Sequence, residues 1–108
     1  MNKLSAPSLY FPVAHNLGAV SEIFRALAHP LRIQICSIID EKSTACVNEI
    51  YVALNIEQSV ASQHLRILRQ ANLVYTRRKG KYVYYLLDYS KIARAYEAAG
   101  LICGNGRV

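Results

Sequence analysis

The chain has 108 residues, 53% of them hydrophobic, and its 13 Lys and Arg against 7 Asp and Glu give a formal net charge of +6. That length suits one domain, and the apolar content excludes wholesale disorder and supports a packed core. No apolar run approaches the roughly 20 residues that span a bilayer, and the first 15 residues lack a signal-peptide core and cleavage site, so no membrane partner and a cytoplasmic location are expected.

Residues 1–15 carry Pro7 and Pro12 without a sustained period and read as a flexible arm. From Asn16 on, Leu17, Val20, Ile23, Phe24 and Leu27 recur at three- and four-residue spacing, which predicts an amphipathic helix. Ala28-His29-Pro30 breaks it, and Pro30 suits the first turn of a second helix, where its missing N–H costs little. This second helix is expected to run to about Ile39, with Ile33, Ile35, Cys36, Ile38 and Ile39 apolar, before a polar loop at Asp40 to Ser43. Two shorter helices follow, Val47 to Leu54 and Gln58 to Gln70, around a tight turn at Asn55-Ile56-Glu57. That is the helix-turn-helix pattern.

Beyond Asn72 the period changes. Leu73 to Thr76 and Tyr82 to Leu87 are β-branched and aromatic, joined by the basic turn Arg77-Arg78-Lys79-Gly80-Lys81, and read as a β-hairpin. Tyr89 to Ile102 closes the domain as a helix with Ile92, Ala95, Tyr96, Ala99 and Ile102 in a stripe, and residues 103–108 form a short tail. The expected class is mainly α with a β-hairpin (α+β), about five helices, in one unit over residues 16–102.

Charge is distributed unevenly. From Gln58 to Leu87 there is no Asp or Glu, yet six cations fall there: Arg66, Arg69, Arg77, Arg78, Lys79 and Lys81. With Val60, Ala61, Leu65 and Leu68 turned inward, the helix would present Gln58, Ser59, Ser62, Gln63, Arg66 and Arg69 to its surroundings. Glutamines can pair with adenine, serines with base or phosphate, and the cations with the backbone. A polar, cationic helix before a cationic hairpin therefore points to double-stranded DNA. The bland alternative is a solvated helix face and an ordinary charged turn, as in a nonspecific basic protein that binds RNA or a membrane surface. An enzyme is not expected: there is no Gly-rich phosphate loop, no HExxH and no workable Ser–His–carboxylate order. No cofactor is implied.

The segments ALAHPLRIQIC, VNEIYVALNIEQSVASQHLRILRQANLV and RRKGKYVYYLL resemble the arsenic- and metal-responsive repressor family (ArsR/SmtB) over about residues 17–102. The resemblance implies a winged helix-turn-helix homodimer built from the first and last helices, reading an imperfect palindrome in a promoter. Repression would be relieved by an effector. Gln58, Ser59, Ser62 and Gln63 fall where the family's recognition helix contacts DNA, and His64 reads as packed or hydrogen-bonded.

The family's sensor sites match unevenly. Where a soft-metal site has Cys-Val-Cys, this chain has Cys46-Val47-Asn48, one thiolate short. In the zinc-type site on the last helix, Asp88 matches, but Ser90, Leu101 and Gly104 stand at the other ligand positions. No metal is expected. A third pattern pairs a Cys on the second helix with one near the end of the last, and Cys36 and Cys103 lie close to those places. Reactive sulfur or an oxidant is therefore a candidate effector. Cys36 stands about one position early, roughly 100° around the helix, which leaves core packing for Cys36 and a flexible tail for Cys103 as the alternative. Three Cys so spaced make no disulfide framework. The runner-up function is a winged-helix DNA-binding protein without a small-effector site, controlled by abundance or a protein partner.

Overall fold

Residues 17–103 are described by the computed structural model, and they form five helices and a three-stranded antiparallel sheet. The arm expected over residues 1–15 lies outside the described residues, as does the tail beyond Cys103.

Helix α1 (Leu17–Leu27) leads into α2 (Pro30–Lys42) through a joint that explains the break at Ala28-His29-Pro30. His29 has extended backbone, its Nδ1 accepts a hydrogen bond from the Leu31 N–H at 3.2 Å, and Pro30 opens the helix. Arg32 reaches back to donate to the carbonyl oxygens of Arg25 and Ala26, at 3.4 and 3.0 Å. The Ala26 carbonyl is one that the end of α1 leaves without an intrahelical partner, and the Arg25 carbonyl accepts from the Ala28 N–H at 3.3 Å as well. Contrary to expectation, α2 does not stop at Ile39. Asp40, Glu41 and Lys42 are all exposed, so they continue the helix at no burial cost, and it ends only at Ser43, whose φ is 72°. Ile33 was expected in the apolar set but is 53% exposed, because it lies on the opposite side of α2 from the buried Ile35 and Ile39.

A two-residue strand, β1 (Ala45–Cys46), was not foreseen. Helix α3 (Val47–Leu54) follows directly, and the Glu49 carboxylate accepts from the Cys46 N–H at 3.0 Å, closing the first turn as half of a capping box. Asn55 ends α3 in the left-handed region, φ 55°, a conformation asparagine tolerates better than most residues. Helix α4 (Gln58–Gln70) has the expected bounds.

The hairpin is longer and its turn tighter than expected. Strands β2 (Val74–Lys79) and β3 (Tyr82–Leu87) pair from Val74↔Leu87 to Lys79↔Tyr82, so only Gly80-Lys81 turns. Gly80, at φ 64°, holds the first turn position, where glycine avoids the Cβ penalty. β1 pairs with β3, which makes the sheet order β1-β3-β2. Helix α5 (Tyr89–Cys103) begins at Asp88, whose carboxylate accepts from the Lys91 N–H and the Ser90 hydroxyl, and passes through Gly100 unbroken.

Ile35, Ile39, Ile50, Leu65, Leu68 and Leu73 are fully buried and lock α2, α3, α4 and the base of the hairpin together. Helix α1 packs along α5, where Ile23 and Ala26 meet the same core as Ala95. Tyr96 was expected in the α5 stripe but is 82% exposed, and Ala98 is buried instead. The side chains of Ala99 and Ile102 lie outside the described residues. No helix among the described residues is long and apolar enough to cross a membrane.

Candidate nucleic-acid interface

Helix α4 is sharply two-sided. Ala61, Leu65 and Leu68 have no exposed surface, while Gln58, Ser59, Ser62, Gln63, Arg66 and Arg69 are all exposed. Packing on α2 and α3 therefore fixes which residues point outward. Ser59, Ser62, Gln63, Arg66 and Arg69 share an open groove of about 450 Å³ with Tyr85 of β3. Tyr85 was not singled out from the sequence, although the two-residue alternation of a strand could have placed it on the side of Val83 and Leu87.

That alternation also divides the wing cations. Arg78 pairs with Val83, on the side of the sheet shared with Thr76 and Tyr85 that faces the core, whereas Arg77 and Lys79 project from the other side with Tyr84 and Tyr82. Alternation thus turns Arg78 to the opposite side of the strand from Arg77 and Lys79, although all three border one open groove near the hairpin tip and none of them lines the α4 groove. Lys81 occupies the turn. All four are exposed, and the only ion pair among the described residues is Lys42–Glu49 at 4.0 Å. The cations of α4 and the wing are not neutralised from within, so the surface carries a one-signed field.

His64 lies at the edge of this face. Its Nδ1 accepts from Arg32 Nε at 3.3 Å, and its ring packs against His29 with centroids 4.7 Å apart. Burial, followed by the neighbouring His29 and Arg32, holds its pKa below the ordinary histidine value. Arg32 thus joins the end of α1 to α4, a link with no local signal in the sequence.

The cysteines are spread out. Cys36 is buried in the core, and burial pushes its thiol up to about 11. Cys46 is half-buried at the mouth of α3, with its Sγ 2.7 Å from Asn48 Oδ1 and 3.3 Å from Glu49 Oε1. Cys103 closes α5, but its side chain lies outside the described residues. Asp88 is engaged in capping α5, and hydrogen bonds from Ser90 and Lys91 keep its carboxyl below the usual range. Among the described residues no three His, Cys, Asp or Glu converge as a metal-binding set.

Comparison with known proteins places these features in a family. Residues 29–76 match the model of the bacterial regulatory protein, arsR family. The chain is 43% identical over 76 residues to the HTH-type transcriptional repressor SmtB of Mycobacterium tuberculosis, covering 70% of this chain and 56% of that relative's length. It is 37% identical over 79 residues to a biofilm growth-associated repressor of Agrobacterium fabrum, covering 73% of this chain and 67% of that protein. Among solved structures, it superimposes with a TM-score of 0.69 and 26% identity on the homodimeric winged helix-turn-helix DNA-binding domain of a Mycobacterium bovis protein, covering 87% of this chain and 86% of that one.

Proposed function

The chain belongs to the arsR family of bacterial regulatory proteins, and from that premise we propose that it is a homodimeric, cytoplasmic transcriptional repressor that binds a palindromic promoter operator and is released by an effector. The carrying observation is the surface of α4: six exposed polar and cationic side chains on one face, with no carboxylate between Gln58 and Leu87. In this reading Gln58, Ser59, Ser62 and Gln63 meet base edges in the major groove. Arg66, Arg69, Arg77, Arg78, Lys79 and Lys81 hold the phosphate backbone or the minor groove. Residues 16–102 form the DNA-binding and dimerisation unit. In this reading the chain is not an enzyme, as befits a family of DNA-binding regulators.

Two homodimer surfaces are supported by exposure. Phe24 on α1 and Tyr96 on α5 are 36% and 82% exposed on helices that pack against each other, so a second copy can cover both. The proposed effector is reactive sulfur or an oxidant acting on Cys36 and Cys103. This requires Cys36 to leave the core, since a buried thiol raised to about 11 is a poor nucleophile.

The test is fluorescence anisotropy on the gene's own upstream duplex, with reduced and with polysulfide-treated protein. Gln63→Ala is expected to weaken the operator about tenfold and random duplex little, because one bidentate base contact is worth roughly 1–3 kcal/mol. Arg78→Ala is expected to weaken both DNAs alike and to lower the salt slope by about one. Absence of sequence-selective binding in either redox state would remove the repressor reading. Binding indifferent to treatment would remove only the thiol effector.

A further inference from the structure

The wing sheet has a second face that α4 does not share. Strand alternation sends Tyr75, Arg77 and Lys79 of β2 to the side occupied by Leu86, Tyr84 and Tyr82 of β3, with each pair directly opposed. Tyr75 and Tyr82 are 41% and 49% exposed, a large aromatic area to leave in water on so small a sheet. The Arg77 guanidinium lies 5.8 Å from the Tyr75 ring centroid and the Lys81 ammonium 5.5 Å from that of Tyr82. Tyr82 and Tyr84 stand 6.4 Å apart, centroid to centroid. Arg77, Lys79, Tyr84 and Leu86 border an open groove of about 430 Å³ along this side, with Thr44 and, at its edge, Arg78 from the other face of β2.

We propose that this outward sheet face is a platform for single-stranded nucleic acid, with bases stacking on Tyr75, Tyr82 and Tyr84 and the backbone held by Arg77 and Lys79. Tyrosines interleaved with cations on one face of a sheet are what an unstacked strand requires: a π-face for each base and a positive charge for each phosphate. Duplex DNA can engage Arg77 and Lys79 through its phosphates but leaves the tyrosine rings uncovered, because its bases are already stacked and offer only edges. An acidic peptide would satisfy Arg77 and Lys79 but has no flat ring to cover the tyrosines. Charge complementarity favours a polyanion: there is no Asp or Glu from Gln58 to Leu87, and Glu49, at the β1 edge, is already engaged with the Cys46 N–H and Lys42. This surface shares Arg77 and Lys79 with the proposed operator contacts but none of the α4 residues, and its tyrosines take no part in the proposed operator reading, so substitutions at the tyrosines separate the two.

The experiment uses the full chain and a labelled 12-residue oligo(dT), read by anisotropy and by quenching of intrinsic fluorescence, which is all tyrosine because the chain has 8 Tyr and no Trp. Wild type is expected to bind. Tyr82→Leu should weaken oligo(dT) about tenfold, and Tyr82→Leu with Tyr84→Leu about a hundredfold, while operator duplex affinity changes less than twofold. Tyr82→Phe should retain binding, since stacking needs the ring and not the hydroxyl. Tyr82 is exposed beside the turn, so the single variant keeps the test valid if the double variant unfolds. The proposal is overturned if wild type fails to bind oligo(dT) or if Gln63→Ala removes oligo(dT) and operator together. Tyrosine-dependent binding to polyglutamate in place of oligo(dT) would also overturn it.

Discussion

Arg32 donates Nε to His64 Nδ1 at 3.3 Å while its terminal nitrogen holds carbonyls at the end of α1, so one guanidinium ties α1, α2 and α4. The bond works only while His64 presents an unprotonated Nδ1. Protonation would set an N–H against the N–H of a cation. The folded-state pKa of His64 lies below its unfolded value of about 6.5. Neutral imidazole is therefore favoured by folding, and its contribution is fully present above that value and lost as pH falls through the window beneath it. Thermal melts from pH 7.5 to 5.0 are expected to show a loss of stability that is smaller in His64→Gln, which keeps an acceptor but does not titrate. Parallel curves for the two proteins would rule out His64 as the cause.

At the scale of elements, the left-handed backbone of non-glycine residues falls where helices end, at Ser43, Asn55 and Asn72. Ser43 ends α2 at φ 72° and ψ −42°, a conformation that L side chains rarely adopt, and its side chain is exposed. Glycine adopts such angles without a Cβ penalty, so Ser43→Gly is expected to stabilise the fold by about 1 kcal/mol. Urea unfolding would show this as a higher midpoint at unchanged slope, and an unchanged or lower midpoint would mean that the strain is relieved elsewhere. The wing shows the opposite economy. Its single demanding position is filled by Gly80, so the cations can occupy regular strand and be sorted by side: Arg78 on one side of β2, Arg77 and Lys79 on the other.

For the whole molecule, the question is what covers α1 and α5. These helices pack on each other and supply Ile23, Ala26 and Ala95 to the core, yet Phe24 and Tyr96 remain outside it. A domain of this size gains from burying such surface against a copy of itself. Tyr96→Glu places a charge there without touching the core or α4. It is expected to shift the protein toward monomer in sedimentation velocity and to weaken operator binding at least tenfold, because two half-sites are no longer linked. A variant that stays dimeric, or a monomer with full operator affinity, would move the interface elsewhere.

Much of this arrangement was legible in the chain. The bounds of α3 and α4, the turn between them and the outward set from Gln58 to Arg69 follow from helical period, capping and turn residues, which act within a few positions of one another. The absence of acids from Gln58 to Leu87 needs no fold at all to be seen. What the tertiary structure decided are matters of partner and sidedness. Strand β1 exists because β3 offers Ala45 and Cys46 a neighbour some 40 positions away, and such pairing leaves no local signature in two residues. Asp40 to Lys42 stay helical, while Ile33 and Tyr96 turn outward, because an apolar residue's fate depends on which face its neighbours cover. The basic run Arg77-Arg78-Lys79 read as a single cationic tip until pairing made it strand, and alternation then divided it between two faces that the chain alone does not distinguish.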